Sequence, residues 1–280
     1  MFFHQLKNEL LKLFAKKRTY IGFAMLILAQ LLIVSLLRFS KPAHQGLTHT
    51  IERSGLDAGK YVSMLTVATF MVLVLAYSLL PLYVALVGGD MVSKEAEDGT
   101  LRMVLSRPVT RVRLLCLKWI AGVVFSILLV TALAAGGLLF CGATFPVTGG
   151  LFAQLPEQTP SLLNFSDALP RFLLAHLFMV AKAVTIMSLA LMFSCCNIKP
   201  AAAAISALSL IMIDRIVMDI PYFHDLKQYF LGHYLNCWQL LFSDPIPWWQ
   251  VGQSVSLLAG LSLTFLILGI AIFQVRDIKS

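Results

Sequence analysis

Long apolar runs alternate with short polar stretches along the whole chain. Six runs stand out, at about 19–37, 61–87, 119–140, 170–193, 200–220 and 251–273. A hydrocarbon core about 30 Å thick needs about 20 apolar residues in a helix. Helices satisfy their own backbone hydrogen bonds, which lipid cannot do. The pattern therefore predicts an all-α polytopic membrane protein with six transmembrane helices, forming a single membrane domain over 1–280. No polar gap is long enough for a separate soluble domain. The first run is longer than a signal-peptide core and no small-residue cleavage site follows it, so it reads as a retained helix.

Around the runs, finer periodicities predict further elements. Residues 2–17 read as an amphipathic helix, with Phe3, Leu6, Leu10, Leu13 and Phe14 on one face and Gln5, Glu9, Lys12 and Lys16 on the other. Such a helix suits the membrane interface, and Lys16-Lys17-Arg18 makes a corner before the first span. The second run contains Pro81, which predicts a kink. Residues 90–105 can be helical, and Pro108 ends that regularity. Gly136-Gly137 would let the third span approach a neighbour closely. The fourth and fifth spans form a hairpin through Ser194–Lys199, with Pro200 opening the next helix. Between 221 and 250, Tyr222, Phe223, Tyr229, Phe230, Tyr234, Trp238, Trp248 and Trp249 predict short re-entrant or interfacial helices, broken at Asp244-Pro245-Ile246-Pro247.

Composition agrees with a membrane protein. The chain is 59% hydrophobic and 13% charged, with a mean hydropathy of +0.83. Its net charge of +8 could point to nucleic acid. The distribution points instead to membrane topology. With the N-terminus inside, cytoplasmic segments hold fourteen Lys and Arg against seven outside, and Lys182 lies within a span. That bias places both termini in the cytoplasm. The 38–60 segment runs against it, with Arg38, Lys41, Arg53 and Lys60 all outside.

Candidate chemistry is sparse. There is no HExxH, no GxSxG and no GxxxxGK[ST], so neither a zinc protease, a serine hydrolase nor an ATPase has its residues. The run Gly55–Lys60 has the wrong spacing for a phosphate loop. The six histidines are scattered, and the five cysteines show no metal spacing. Cys141 and Cys237 both fall near the outer face, where a disulfide could join them. Otherwise they are small buried apolar residues. No metal site and no catalytic residue is expected.

Lys182 falls deep inside the fourth span, and Asp214 and Arg215 lie in the outer half of the fifth. A lysine at the centre of a span costs about 2.5–3.5 kcal/mol unless it snorkels or pairs. Lys182 lies 15 residues from Asn197 and Asp214 lies 17. At about 1.5 Å per residue their heights differ by roughly 3 Å. An ion pair across the hairpin is therefore feasible. It would either hold the hairpin or line a polar path.

The densest charge lies between the second and third spans, in the loop 88–113. A solvated turn obeying the positive-inside rule accounts for Arg107, Arg111 and Arg113. It does not account for Glu95, Glu97 and Asp98 just before them. Acidic residues followed by basic ones make a two-signed surface suited to a specific docking contact.

The run Glu95-x-Glu97-x-Gly99-Thr100-Leu101, then Leu105-Ser106-x-Pro108-Val109-x-Arg111 and Lys118, resembles the loop between the second and third spans of ABC type-2 exporter permeases. The nearest group is the six-span NosY-like permeases, which carry no fused ATPase. Leu117 stands where that family usually has glycine. The resemblance implies a permease subunit of an ATP-driven exporter in the cytoplasmic or inner membrane. A second permease copy or a related permease, and separate ABC ATP-binding subunits, would be its partners. ATP and Mg would be bound by those subunits and not by this chain. By the resemblance, 94–111 is a cytoplasmic coupling helix and loop. Glu95 and Glu97 would be acidic contacts to the ATPase and Arg111 a basic one. Gly99, Thr100, Leu101, Ser106 and Pro108 would shape the element. The alternative is a membrane anchor or scaffold that recruits a soluble complex without transport.

Overall fold

The computed structural model describes residues 2–55, 57–105, 110–155 and 160–276. Ser106 and Pro108 lie outside the described residues. Among the described residues, six helical segments are long and apolar enough to cross a membrane.

The N-terminal helix α1 spans Phe2–Ala15. Extended backbone at Lys16 turns the chain into the first span, α2, Lys17–Phe39. A second extended residue, Ser40, precedes α3, Lys41–Arg53, with Pro42 in its first turn. This helix is absent from the sequence reading, which took 38–60 as a charged connection. Its apolar stripe is only Ala43, Leu47 and Ile51, one residue per turn, and Ile51 is fully buried. A single turn, α4, Ala58–Tyr61, follows and is capped by the Asp57 carboxylate, which accepts from the Gly59 amide.

The second apolar run forms two helices, α5 (Met64–Tyr77) and α6 (Leu79–Glu97), broken at Ser78. The break lies three residues before Pro81, where the kink was expected. A proline clashes with the carbonyl four residues earlier, here Tyr77, and lacks an amide proton. Both problems vanish if the helix restarts at Leu79, because Pro81 then sits in a first turn whose amides need no intrahelical partner. The expected helix over 90–105 is also divided. The α6 helix ends at Glu97, Gly99 takes a positive φ of 69°, and α7 runs over Thr100–Leu105. Only glycine adopts that backbone readily.

The third span, α8, is long, at Arg111–Thr144, and opens with the Thr110 hydroxyl accepting from the Arg113 amide. A two-stranded antiparallel ribbon follows, β1 (Leu151–Ala153) and β2 (Ser161–Leu163), with Leu151 opposite Leu163. Three-residue strands are too short for an alternating pattern to announce them. The fourth span, α9, Phe165–Cys195, is the hub of the bundle and packs on α5, α6 and α8. It also contacts the next span, α10, Pro200–Met218. Short helices then cover Pro221–Tyr229, Leu231–Leu235 (α11) and Cys237–Phe242. The last span, α12, Trp248–Val275, packs back onto α9.

Two glycines set the closest approach in the core. A Cβ at Gly88 would lie 2.6 Å from the Met187 carbonyl oxygen on α9, and one at Gly89 would lie 2.9 Å from the Ala204 nitrogen on α10. The α6 helix is thereby wedged into the α9–α10 hairpin. Small residues serve this purpose in lipid, where no hydrophobic force drives helices together. Gly136 likewise makes room for Gln30 of α2, whose amide donates to the Leu133 carbonyl at 3.1 Å.

Candidate functional site

The charged ends of several helices converge around the last turns of α6. Arg18 at the start of α2 reaches Asp90 of α6 at 3.2 Å. One helical turn further on, Glu95 enters a closed network with residues from two other helices. The Lys118 ammonium of α8 lies 2.7 Å from Glu95 and 3.0 Å from Glu9 of α1. Lys12 of α1 lies 2.7 Å from Glu9 and 3.6 Å from Glu95. Two carboxylates and two ammoniums thus alternate, which cancels like-charge repulsion. The Lys118 side chain is 4% exposed and that of Glu95 13%.

The network shifts the protonation of the α1 groups. Burial opposes charge on Glu9, but the Lys118 ammonium and hydrogen bonds from Lys12 and Lys118 outweigh it. The Glu9 carboxyl is therefore held below its usual value. Burial also opposes charge on Lys12, and there the Glu9 hydrogen bond and the Glu95 charge prevail, raising its value. For Lys16, at the corner, burial outweighs the nearby Asp90, Glu95 and Asp98 charges and lowers its value.

The remaining loop residues divide between rooted and exposed. Leu101 is 1% exposed and fixes α7 against the bundle. The Thr100 hydroxyl donates to the Glu95 carbonyl at 3.2 Å, closing the turn at Gly99. Glu97 and Asp98 face outward, sharing Lys94 at 2.8 and 3.0 Å. Met103 of α7 is also exposed. Arg111 turns inward. Its Nη1 donates to the carbonyls of Phe273, Gln274 and Arg276 at 3.0, 3.0 and 2.9 Å, capping the end of α12. A cation there complements the helix dipole as well as the unpaired carbonyls. Arg276 continues the chain of contacts, donating to the Cys195 carbonyl and to the Asn197 side chain at 2.8 Å.

A second set of bonds ties α6 to α9. The Ser194 hydroxyl oxygen accepts from the Val92 and Ser93 amides at 3.0 and 2.8 Å, and the Ser93 hydroxyl donates to the Ser194 carbonyl at 2.9 Å. All three groups are buried. Sequence reasoning singled out neither serine, nor Glu9 and Lys12 as partners of the loop. Nothing in a single sequence marks a serine on one helix as the partner of an amide on another. Glu9 and Lys12 are visible only as the polar face of α1.

Lys182 and Asp214, whose pairing across the hairpin was feasible by height, have separate partners. Lys182 is 3% exposed. Its ammonium sits 4.6 Å from the centroid of the Tyr77 ring and 3.4 Å from the side-chain Oδ1 of Asn236. Asp214 is occupied elsewhere, accepting from the backbone amides of Leu231 and Gly232 at the start of α11. Arg215 stacks near the same Tyr77 ring, 4.7 Å from its centroid, and reaches Asp219 at 3.3 Å. Equal height on a hairpin does not suffice for pairing, because the short α11 helix has two unsatisfied amides that compete for the carboxylate. Cys141 and Cys237 are both free and buried, so no disulfide joins them. Among the described residues, no cluster of His, Cys, Asp and Glu could hold a metal ion.

Six helical segments among the described residues, each long and apolar enough to cross a membrane, make this a multi-pass α-helical membrane protein. The sequence pattern of the ABC-2 family transporter proteins matches residues 5–278, nearly the whole chain, and the protein belongs to that family. It is accordingly the permease component of an ABC transporter. Membrane subunits of the family work with ATP-binding partners. Comparison with curated proteins finds no match.

Proposed function

We propose that this chain is the permease subunit of an exporter driven by separate ATPase subunits, which dock on the 94–111 loop. In this reading the loop and both termini lie in the cytoplasm, and the spans cross the cytoplasmic or inner membrane. A second copy, or a related permease, completes the pathway. ATP and Mg2+ belong to the ATPase partner. What carries the reading is the two-sided build of the loop. Its outer face offers Glu97, Asp98 and Met103, while its inner face is rooted by Leu101, Glu95 and Arg111.

The two sides have different tasks. A docking surface needs exposed groups, and Glu97 meets that need. Glu95 is committed to Lys118 and Glu9, so its role is to pass force inward rather than to touch the ATPase. Closure of the ATPase pair displaces α7. The ion network carries that displacement to α1 and α8, the Ser93–Ser194 bonds carry it to α9, and Arg111 carries it to α12. Rigid-body motion of packed helices is a common form of such switching.

The test is purification of the tagged full chain in mild detergent, with mass spectrometry of what accompanies it. A stoichiometric subunit bearing a phosphate-binding loop is expected, and a Glu97→Arg exchange should weaken its retention. Recovery of the chain alone, or with a partner that is not an ATPase, would favour the anchor or scaffold reading instead.

A further inference from the structure

A cavity of ≈ 710 Å³ lies between α2, α3, α5 and β1, at the end of the bundle opposite the charged loop. It falls within the range of about 300–1,000 Å³ typical of small-molecule sites, which are mostly apolar with a few placed polar groups. Ile33, Leu37, Leu47 and Leu73 line it, and the exposed side chains of Leu36, Phe70 and Val74 stand at its rim. Those rim residues belong to apolar spans, so the cavity opens sideways toward hydrocarbon.

Three further observations bear on what fills it. Thr69 lines the cavity, is 2% exposed, and its hydroxyl has no hydrogen-bond partner. Thr50, on the facing helix, donates back to the Gly46 carbonyl at 2.8 Å, as helical threonines commonly do. Thr69 does not, and a buried hydroxyl normally finds a partner. Arg38 and Lys41 flank the corner at Ser40, next to the lining residues Leu37 and Ala43. Both are exposed and neither has a carboxylate within 4.0 Å among the described residues. They also belong to the one segment whose positive charge runs against the topology rule.

We infer that this cavity binds an anionic amphiphile. Its acyl chain fills the space between α2, α3 and α5, an ester or acid oxygen accepts from the Thr69 hydroxyl, and its phosphate or carboxylate meets Arg38 and Lys41. The inference concerns binding, and stands whether or not the chain is an exporter. Such a ligand could be a resident bilayer lipid or a transported cargo, and the two share this chemistry.

The full chain, with whatever subunits accompany it, would be placed in phosphatidylcholine nanodiscs and exposed to lysophosphatidic acid carrying a diazirine on its acyl chain. Adducts would be mapped by mass spectrometry. Labelling is expected on α3, α5 and β1. An Arg38→Gln/Lys41→Gln variant should lower it by about tenfold, the scale set by removing charge-assisted contacts. Thr69→Val, which keeps shape and removes the hydroxyl, should lower it by a smaller factor. Gly46→Phe should abolish it. Gly46 lines the cavity and a Cβ there meets nothing within 4 Å, so the added ring starts in open space and not against the backbone. A zwitterionic lysophosphatidylcholine probe should label more weakly than the anionic one. Release of bound probe on addition of ATP would identify a cargo, and retention would identify a resident lipid. Equal labelling by the two probes, full labelling of the Gly46→Phe variant, or cross-links showing that a second copy of the chain occupies the groove would overturn the inference.

Discussion

Replacing Lys118 with methionine tests the ion network directly. The change strips Glu9 and Glu95 of partners at 3.0 and 2.7 Å. They are left to share Lys12, which is 45% exposed and 3.6 Å from Glu95. A half-exposed pair of that kind contributes about 0–1 kcal/mol. Removing one member of a buried pair costs about 3–5 kcal/mol, because the other charge is left uncompensated. Both carboxylates keep slight solvent access, which places the expected loss near the lower bound, about 3 kcal/mol. Denaturant titration in mixed micelles, followed by tryptophan fluorescence, would measure it. The decisive comparison is the double variant Lys118→Met/Glu95→Gln, which removes one charge of each sign. It should be milder than the sum of the two single changes by about 1–2 kcal/mol, within the range for residues in one network. Glu97→Gln is the control, since its exposed pairing with Lys94 should be worth less than about 1 kcal/mol. If the double variant equals the sum within about 0.5 kcal/mol, the network does not act as a unit, and the account of Glu95 as an internal strut fails.

Further expectations follow from the same description. The Glu9 carboxyl is held below its ordinary value of about 4.3, so its contribution is complete above that pH and is lost as pH falls through the depressed value. Proteolysis of α1 should therefore accelerate only in acid below the ordinary carboxylate range, and Glu9→Gln should remove that pH dependence. Gly88→Ala should destabilise by about 1–3 kcal/mol through overpacking against Met187, read in the same titration. Lys182→Met should be neutral or stabilising by about 1 kcal/mol, because its burial cost of about 2.5–3.5 kcal/mol exceeds a cation–π contact of about 0.5–2 kcal/mol. Combined with Asp214→Asn, its effect should be additive, and strong coupling between the two would contradict their separate partners.

The spans were legible because lipid imposes length and apolarity on every crossing helix, and six runs satisfy both. The break at Ser78 was misplaced because proline marks a steric conflict without saying which residue upstream will absorb it. The α3 helix was missed because one apolar residue per turn is a weak stripe among charges. At the candidate site, the block from Glu95 to Arg111 was visible as charge density, but charge density does not reveal direction. Glu95 and Glu97 are two residues apart on a helix and so point to different sides. One is bound within the protein and the other faces out. Arg111 likewise looked like a surface cation and proved to be a helix cap, because its partners lie more than 160 residues away, at the end of α12. Long-range pairing of this kind leaves no local trace.

The interruption at Ser78 divides the second span into two rods with different loyalties. The rod next to the ribbon, α5, leans chiefly on α8, whereas α6 is wedged by Gly88 and Gly89 into the α9–α10 hairpin and pinned there by Ser194. Under the proposed coupling, a push on α7 would reach a rod already fastened to the fourth and fifth spans. The end of α5 meets the same hairpin through Tyr77, whose ring faces Lys182 and Arg215. One apolar run thus supplies two differently anchored helices, and Ser78 is the joint between them.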